Sequence, residues 1–384
     1  MPRVERPATP EACAALLFRC AEGRQSVRVR GGGTKDHLGA RQQTNIVLET
    51  GAIDGIVDHV PEDLTVTVRA GMTFAKLRDA LAAHGQFLPL DPPHVERGAT
   101  VGGVIAANSN GFGRYRYGSV RDLLLGVRAA LPDGTIARAG GRVVKNVAGY
   151  DLNKLFIGSL GTLGVIVEAT FKILPVPPAS RGASATFGSP GDAFGAADDL
   201  VRTSLRPTAV AIERTADGRW RLLIVAAGET APVERAMAEL ARVAAARGAT
   251  SEDVGDPAVS LGPLREIVDL AVGGAVVRAA LPLSAQTAFA EAAVRVDRDA
   301  RLVADAASGI AHVHLRDDAG LIAAADGLVA TARILGGSAR IERSAVEGLT
   351  TFGGPEPAGA FLMRRLKEAF DPAGILEPGR SALG

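Results

Sequence analysis

The residues of this chain best suited to chemistry are glycines. Gly31-Gly32-Gly33-Thr34-Lys35 follows a short strand-like run over residues 26–30. Without Cβ atoms, successive backbone N–H groups can turn into one concavity, and the Thr34 hydroxyl adds a donor, an arrangement suited to phosphate. It is not a Walker loop, because no Gly-Lys-Ser/Thr follows at the required spacing. Nor is it the dinucleotide fingerprint, since Lys35-Asp36-His37-Leu38-Gly39 continues as loop instead of opening a helix. A second stretch holds Thr100-Val101-Gly102-Gly103, then Asn108-Ser109-Asn110-Gly111, with Tyr117-Gly118 and Asp122 soon after. A third is Lys145-Asn146-Val147-Ala148-Gly149-Tyr150-Asp151-Leu152, and a fourth runs Gly158-Ser159-Leu160-Gly161-Thr162-Leu163-Gly164-Val165-Ile166. Glycine totals 46 of 384 residues, about 12% against a typical 7%. Four clusters in one region are hard to explain as independent turns and point to backbone brought close to a ligand.

Other reactive side chains are sparse. His312 and His314 stand two apart on a strand-like segment, so they share a face and could share a divalent ion, although a hydrogen-bonded or exposed pair is the commoner outcome. His94 follows the segment Pro89-Leu90-Asp91-Pro92-Pro93, as a candidate base or a surface loop residue. Arg278, on a strand, could pair a carboxylate through its planar fork or form a structural ion pair with a helix Glu. The hydroxyls of Ser109, Ser119 and Ser159 join no His and carboxylate constellation, which disfavours nucleophilic hydrolysis. Cys13 and Cys20 lie about 10 Å apart if helical, too far to pair, and read as reduced thiols.

The elements that must position these groups follow from pattern. Helices are expected over residues 9–21 and 73–84, the latter with Thr73 as N-cap, and strands over 26–30, 45–49, 124–131, 135–139 and 165–173. Residues 56–59 and 64–69 form a hairpin, as do 124–131 and 135–139 about Pro132-Asp133-Gly134. Residues 98–118 read as loop. Pro175-Val176-Pro177-Pro178 is the best linker, because three prolines end the preceding strand. Beyond it, a β-α-β-β-α order occurs and then returns, which suggests antiparallel sheet with helices on one face. A last helix over 359–370 is stopped by Asp371-Pro372. The expected domains are 1–175, 176–350 (a cap or substrate domain with antiparallel sheet) and a tail, 351–384, returning to the first.

Composition narrows the function. Lys plus Arg is 43 against 42 Asp plus Glu, and aromatic residues are 4%, so neither charge nor stacking surface favours nucleic acid. The first residues lack an apolar h-region, and no apolar run of about 18 residues occurs, so neither a signal peptide nor a spanning helix is expected.

The order RGGGTK, ATVGGVIAANSNG, RYGSVRD, KNVAGYDLNKLFIGSLGTLGVI strongly resembles the FAD-binding domain of the vanillyl-alcohol oxidase, or PCMH, type over residues 5–175, and the tail LKEAFDPAGILEPGR resembles that family's closing segment. Within the family the chain looks most like the FAD-binding subunit of bacterial glycolate oxidase. The resemblance implies an α+β chain, a PCMH-type domain of two α/β subdomains plus a ferredoxin-like α+β cap. It also implies that Gly31, Gly32, Gly33, Thr34 and Lys35 cradle the FAD pyrophosphate. Thr100, Gly102, Gly103, Asn108 and Gly111 would run along the ribityl chain and ring, Gly161, Gly164, Val165 and Ile166 would meet the other end of the cofactor, and Asp91 would lie near the isoalloxazine. Val101, Tyr117, Gly118 and Asp122 complete the candidate cofactor residues. Relatives that hold flavin covalently use a His after the Gly-rich turn; Thr34 stands here, so noncovalent FAD is expected.

Catalytic relatives carry His-x-Gly-Asp-Gly-Asn-x-His and later Glu-His-Gly. Only His312-Val313-His314 and Ser338-Ala339-Arg340-Ile341-Glu342-Arg343 stand in their place. The resemblance therefore implies a subunit that oxidises glycolate or a related 2-hydroxy acid together with a second flavin subunit and an iron-sulfur subunit, the sister flavin subunit doing most of the hydroxy-acid chemistry. It would be cytoplasmic, or peripheral at the inner membrane through its partners. The alternatives are a self-sufficient D-lactate or D-2-hydroxy-acid dehydrogenase, and a non-catalytic flavin-binding assembly subunit.

Overall fold

The computed structural model describes residues 2–39, 42–141, 151–268, 273–316, 319–346, 349 and 359–380. Residues 145–150 of the third glycine cluster and Asp317-Asp318 lie outside them. Two compact units form, one from residues 1–110, 118–176 and 354–384, the other from 111–117 and 177–353. The short segment 111–117, which includes Gly111 and Tyr117, thus groups with the second unit, an excursion that a linear boundary does not anticipate.

The first unit holds a parallel sheet of β1 (Arg3–Glu5), β2 (Val27–Arg30) and β3 (Ile46–Glu49), in the order β1-β3-β2. The helix Pro10–Glu22 starts where the Thr9 hydroxyl accepts from the Ala12 N–H at 3.1 Å. Its apolar stripe, Cys13, Leu16, Leu17 and Cys20, packs with Val27, Ile46 and Leu48, each fully buried Leu or Ile contributing about 2 kcal/mol. Both cysteines are buried and unbridged, and burial pushes the Cys13 thiol up to about 12, so it is inert at neutral pH.

The antiparallel sheet of the same unit comprises β4 (Ile56–Val60), β5 (Thr65–Arg69), β7 (Leu124–Ala130), β8 (Ile136–Gly140) and β9 (Val165–Lys172), in the order β4-β5-β9-β7-β8. A small pair, β6 (Gln86–Phe87) with β10 (Leu174–Pro175), stands beside it in the chain. Helix Phe74–Ala82 has Thr73 as its N-cap, as expected. The expected loop at 98–118 instead contains helices Val101–Ala106 and Arg114–Tyr117. Thr100 overrides the glycines there: its hydroxyl accepts from Gly103 N–H at 3.3 Å, and Val101 and Gly102 donate to Met72 and Ala70 carbonyls, so the helix start is satisfied despite poor propensity.

The second unit is one eight-stranded antiparallel sheet of β11 (Ala179–Phe187), β12 (Ala209–Arg214), β13 (Trp220–Gly228), β14 (Ser251–Asp253), β15 (Gly274–Ala280), β16 (Arg301–Asp305), β17 (Ile310–Arg316) and β18 (Ser338–Ser344). Its order is β14-β11-β13-β12-β16-β17-β15-β18. Read inward from either end, each half has its fourth, first, third and second strand, so two ferredoxin-like β-α-β-β-α-β repeats meet at β12 and β16, where Ile212 faces Ala304. The α+β class with a ferredoxin-like arrangement is what the chain forms, twice over.

Period-two alternation separates the faces of this sheet. Val210, Ile212, Leu222, Ile224, Leu302, Val277 and Val313 join the cluster that includes helices Pro190–Val201, Thr230–Ala245, Gln286–Val296 and Leu321–Ile334. Ala209, Ala211, Leu223, Val225 and Val303 face the other way, with Phe112, Leu261, Leu264 and Ile267. Helices are therefore not confined to one face. Helix Pro257–Arg265 covers part of the second, unforeseen because Pro257 and Pro263 look like breakers; Pro257 sits in the first turn, where a missing N–H costs nothing.

Candidate functional site

Three of the glycine clusters converge within the first unit. Gly31 follows the carboxyl end of β2 and Thr50 that of β3, the end at which open α/β sheets bind ligands. A groove of about 630 Å³, part of it open to solvent, is lined there by residues 29–36 and Thr50, by Thr100, Gly102, Gly103, Ala106 and Ala107, by Leu160, Gly161, Gly164 and Ile166, and by Arg380.

Local hydrogen bonding assembles the three walls. Helix Val101–Ala106 ends with Asn108 at φ +48°, and its last carbonyls, of Ile105 and Ala106, accept from the Gly158 and Leu160 N–H groups at 3.0 and 2.9 Å. The fourth cluster is thereby docked on the second. The first is pressed against the second so closely that a Cβ on Gly32 would overlap the Gly98 carbonyl oxygen, and Gly33 turns at φ +72°. Among the described residues, the amide N–H groups of Gly32, Gly33 and Thr34 donate to no backbone carbonyl. Three consecutive donors at the mouth of a glycine turn, with Arg30, Lys35 and Arg380 around them, fit the diphosphate of FAD.

The groove collects Gly31, Gly32, Gly33, Thr34, Lys35, Thr100, Gly102, Gly103, Gly161, Gly164 and Ile166 of the sequence-derived candidates. The remaining candidates stand elsewhere. Val101 and Val165 put their side chains into the apolar core. Asn108 Oδ1 and carbonyl oxygen accept from Asn110 Nδ2, a local turn. Asp122 accepts from the Ser119 N–H and hydroxyl, both at 2.8 Å, as half of a capping box, and Gly118 packs against it. Asp91 does not line the groove, and Gly111 and Tyr117 belong to the other unit. Arg30, Thr50 and Arg380 were missed; Arg380 lies 345 residues from Lys35, whose carbonyl it binds, and no local pattern signals such a pairing.

The second unit carries a different cluster. Arg278 on β15 is the register partner of His312 on β17 and of Arg340 on β18, so the three side chains share one face. Arg278 Nε lies 3.8 Å from Glu342 Oε2, and Arg340 Nη2 lies 3.2 Å from the same oxygen. The acidic neighbour of Arg278 is therefore on a strand, whereas one of the two readings of the sequence places it on a helix. Burial pushes Arg278 below its ordinary pKa, Glu342 opposes that, and Arg340 and Arg114 add to it. Three guanidinium groups, those of Arg278, Arg340 and Arg114, share this field with the Glu342 carboxylate.

His312 and His314 do share a face, alternating with Ala311, Val313 and Leu315 of the helix-facing core. Burial first, then Arg301, lowers the His314 pKa, with Asp297 opposing. Among the described residues no three His, Cys, Asp or Glu side chains gather as a metal site. His94 is not the surface residue expected: it is 2% exposed, at φ +68°, with its ring edge-on to His37 at 6.5 Å. A ring so enclosed is not open to a substrate hydroxyl in this conformation.

Residues 2–140 match the model of a family described as FAD binding domain. Over these residues the chain thus carries an FAD-binding domain, which supports FAD as its cofactor. It is 43% identical over 152 residues to glycolate oxidase subunit GlcE of Escherichia coli (strain K12), covering 40% of this chain and 43% of that protein. Over 202 residues it is 33% identical to glycolate oxidase subunit GlcD of Bacillus subtilis (strain 168), covering 52% and 43%. The chain spans about two fifths of the length of these curated relatives. Its fold resembles that of alkyldihydroxyacetonephosphate synthase with a TM-score of 0.75, at 17% identity over 97% of this chain and 75% of that one. No described helix is long and apolar enough to cross a membrane.

Proposed function

We propose that this chain is the FAD-binding subunit of a glycolate oxidase complex, oxidising glycolate or a related 2-hydroxy acid to the 2-oxo acid. The observation that carries this reading is the Arg278–His312 pairing. A 2-hydroxy acid has a carboxylate and a hydroxyl on adjacent carbons. The Arg278 fork holds the carboxylate, with Arg340 adding field, and His312 stands where it takes the hydroxyl proton as the C–H and O–H bonds break and the C=O bond forms. FAD, held noncovalently by the groove residues, supplies the acceptor for the hydride. Residues 177–353 serve as the substrate domain.

The names of the relatives GlcE and GlcD support a multi-subunit assembly. In it, electrons leave through the flavin to an iron-sulfur partner, with a second flavin subunit alongside, in the cytoplasm or at the inner membrane surface. The test is the anaerobic absorbance of the FAD-loaded chain before and after glycolate. Bleaching by the chain alone is the expected result of an Arg278–His312 site, and it would replace the division of labour implied by the resemblance, in which the sister flavin subunit does most of the hydroxy-acid chemistry. Colour that persists until a second flavin subunit is added would move the hydroxy-acid chemistry to that subunit and leave this chain in a relay or assembly role.

A further inference from the structure

The groove has a fourth wall that the glycine clusters do not supply. Arg380 is 8% exposed and lines the groove. Its Nε donates to the Leu38 carbonyl at 3.1 Å, its Nη2 to the Lys35 carbonyl at 2.8 Å, and its Nη1 to Glu377 Oε1 at 3.0 Å. The same Glu377 oxygen accepts from the Val29 N–H at 2.7 Å, on the strand that leads into the glycine turn. Glu377 also lies beneath Gly161, where a Cβ would come within 3.3 Å of its Cγ. One buried ion pair therefore grips both ends of segment 29–38 and touches the fourth cluster.

The geometry points to Arg380 as a positioning residue for the diphosphate-binding turn. A glycine-rich turn samples many conformations, and holding it with its amides toward the groove costs conformational entropy at each residue. Anchoring the Lys35 and Leu38 carbonyls on one planar guanidinium fixes the far end of the turn, while Glu377 fixes the near end through Val29. The amides of Gly32, Gly33 and Thr34 are then pre-oriented before the ligand arrives. Glu377 holds the guanidinium in plane, and burial pushes its carboxyl above the ordinary range while Arg380 draws it back.

Binding of two flavins to the full-length apoprotein separates this role from a general structural one. FAD carries the diphosphate, and riboflavin lacks it. Arg380→Met should weaken FAD at least tenfold by flavin-fluorescence titration while riboflavin affinity stays within twofold of wild type. Arg380→Lys, which keeps a cation but not the fork, should recover part of the loss, and Glu377→Gln should show the same selectivity more weakly. An equal decline for both flavins in the lysine or glutamine variant, or an unchanged FAD affinity in any folded Arg380 variant, overturns the assignment. Should Arg380→Met not fold, the lysine and glutamine variants decide the question by the same ratio. Wild-type protein that failed to bind FAD would count against the cofactor itself and not against Arg380.

Discussion

Arg278 and His312 face each other across the antiparallel ladder of β15 and β17, a cation beside an imidazole on the face opposite the four long helices. Removing the guanidinium tests the anchor directly. Arg278→Leu should lower kcat/KM for the hydroxy acid by about a hundredfold, the effect of losing a charge-assisted fork, with bound flavin and its spectrum unchanged. Arg278→Lys should fall between, since a point charge cannot reproduce the bidentate geometry. Steady-state kinetics beside flavin content separates the two effects.

His314 gives a pH dependence of known sign. Its pKa lies below the ordinary 6.5 in the folded chain because burial disfavours the charged ring. The unfolded chain therefore binds the proton first as pH falls, so the stability this ring contributes is present above 6.5 and lost on acidification. The ring is only partly enclosed, so the effect is small. Between pH 8 and pH 5.5 the melting temperature of wild type should fall further than that of His314→Gln, by on the order of 1–2 °C.

Gly32 tests the close approach of the first two clusters. A methyl group there meets the Gly98 carbonyl oxygen, so Gly32→Ala must push the turn off its seat and should cost at least tenfold in FAD affinity. Gly51→Ala is the control, because a Cβ at that position meets nothing within 4 Å. Comparable losses in both variants would remove the steric explanation.

Asp371 pins the tail that delivers Glu377 and Arg380. Its side chain is fully enclosed and accepts from Ile375 N–H, Leu376 N–H and Lys367 Nζ, at 3.1, 2.8 and 2.6 Å. Asp371→Ala leaves a half-buried lysine with one partner fewer and two buried amides unsatisfied, a loss of about 2–3 kcal/mol, most of it from the amides. A lower urea midpoint with an unchanged slope is the expected signature.

The glycine turn, the strand before it and the two repeats of the second unit were legible in the sequence, because each is written locally. Residues 31–35 announce themselves by missing side chains, β13 by a continuous apolar run and β17 by alternation. Helix Val101–Ala106 was not legible, since its cap, Thr100, outweighs Gly102 and Gly103 only when Met72 and Ala70 offer their carbonyls. Asp122 carried the chemistry of a binding residue but serves Ser119 three positions earlier. Arg380 was invisible for the opposite reason: its role depends on Lys35 and Leu38, which chain order hides.

The mirrored halves of the second unit have diverged in what they expose. β13 and β17 are counterparts in the two repeats, yet β13 offers Leu223 and Val225 to a face capped by Leu261 and Leu264, whereas β17 offers His312 and His314. One half presents an apolar face there and the other a polar one. Because the halves are joined by backbone pairing of β12 with β16, the half that holds His312 and His314 can exchange polar side chains while the other goes on supplying rigidity. A duplicated frame of this kind lets specificity drift without the fold having to be reinvented.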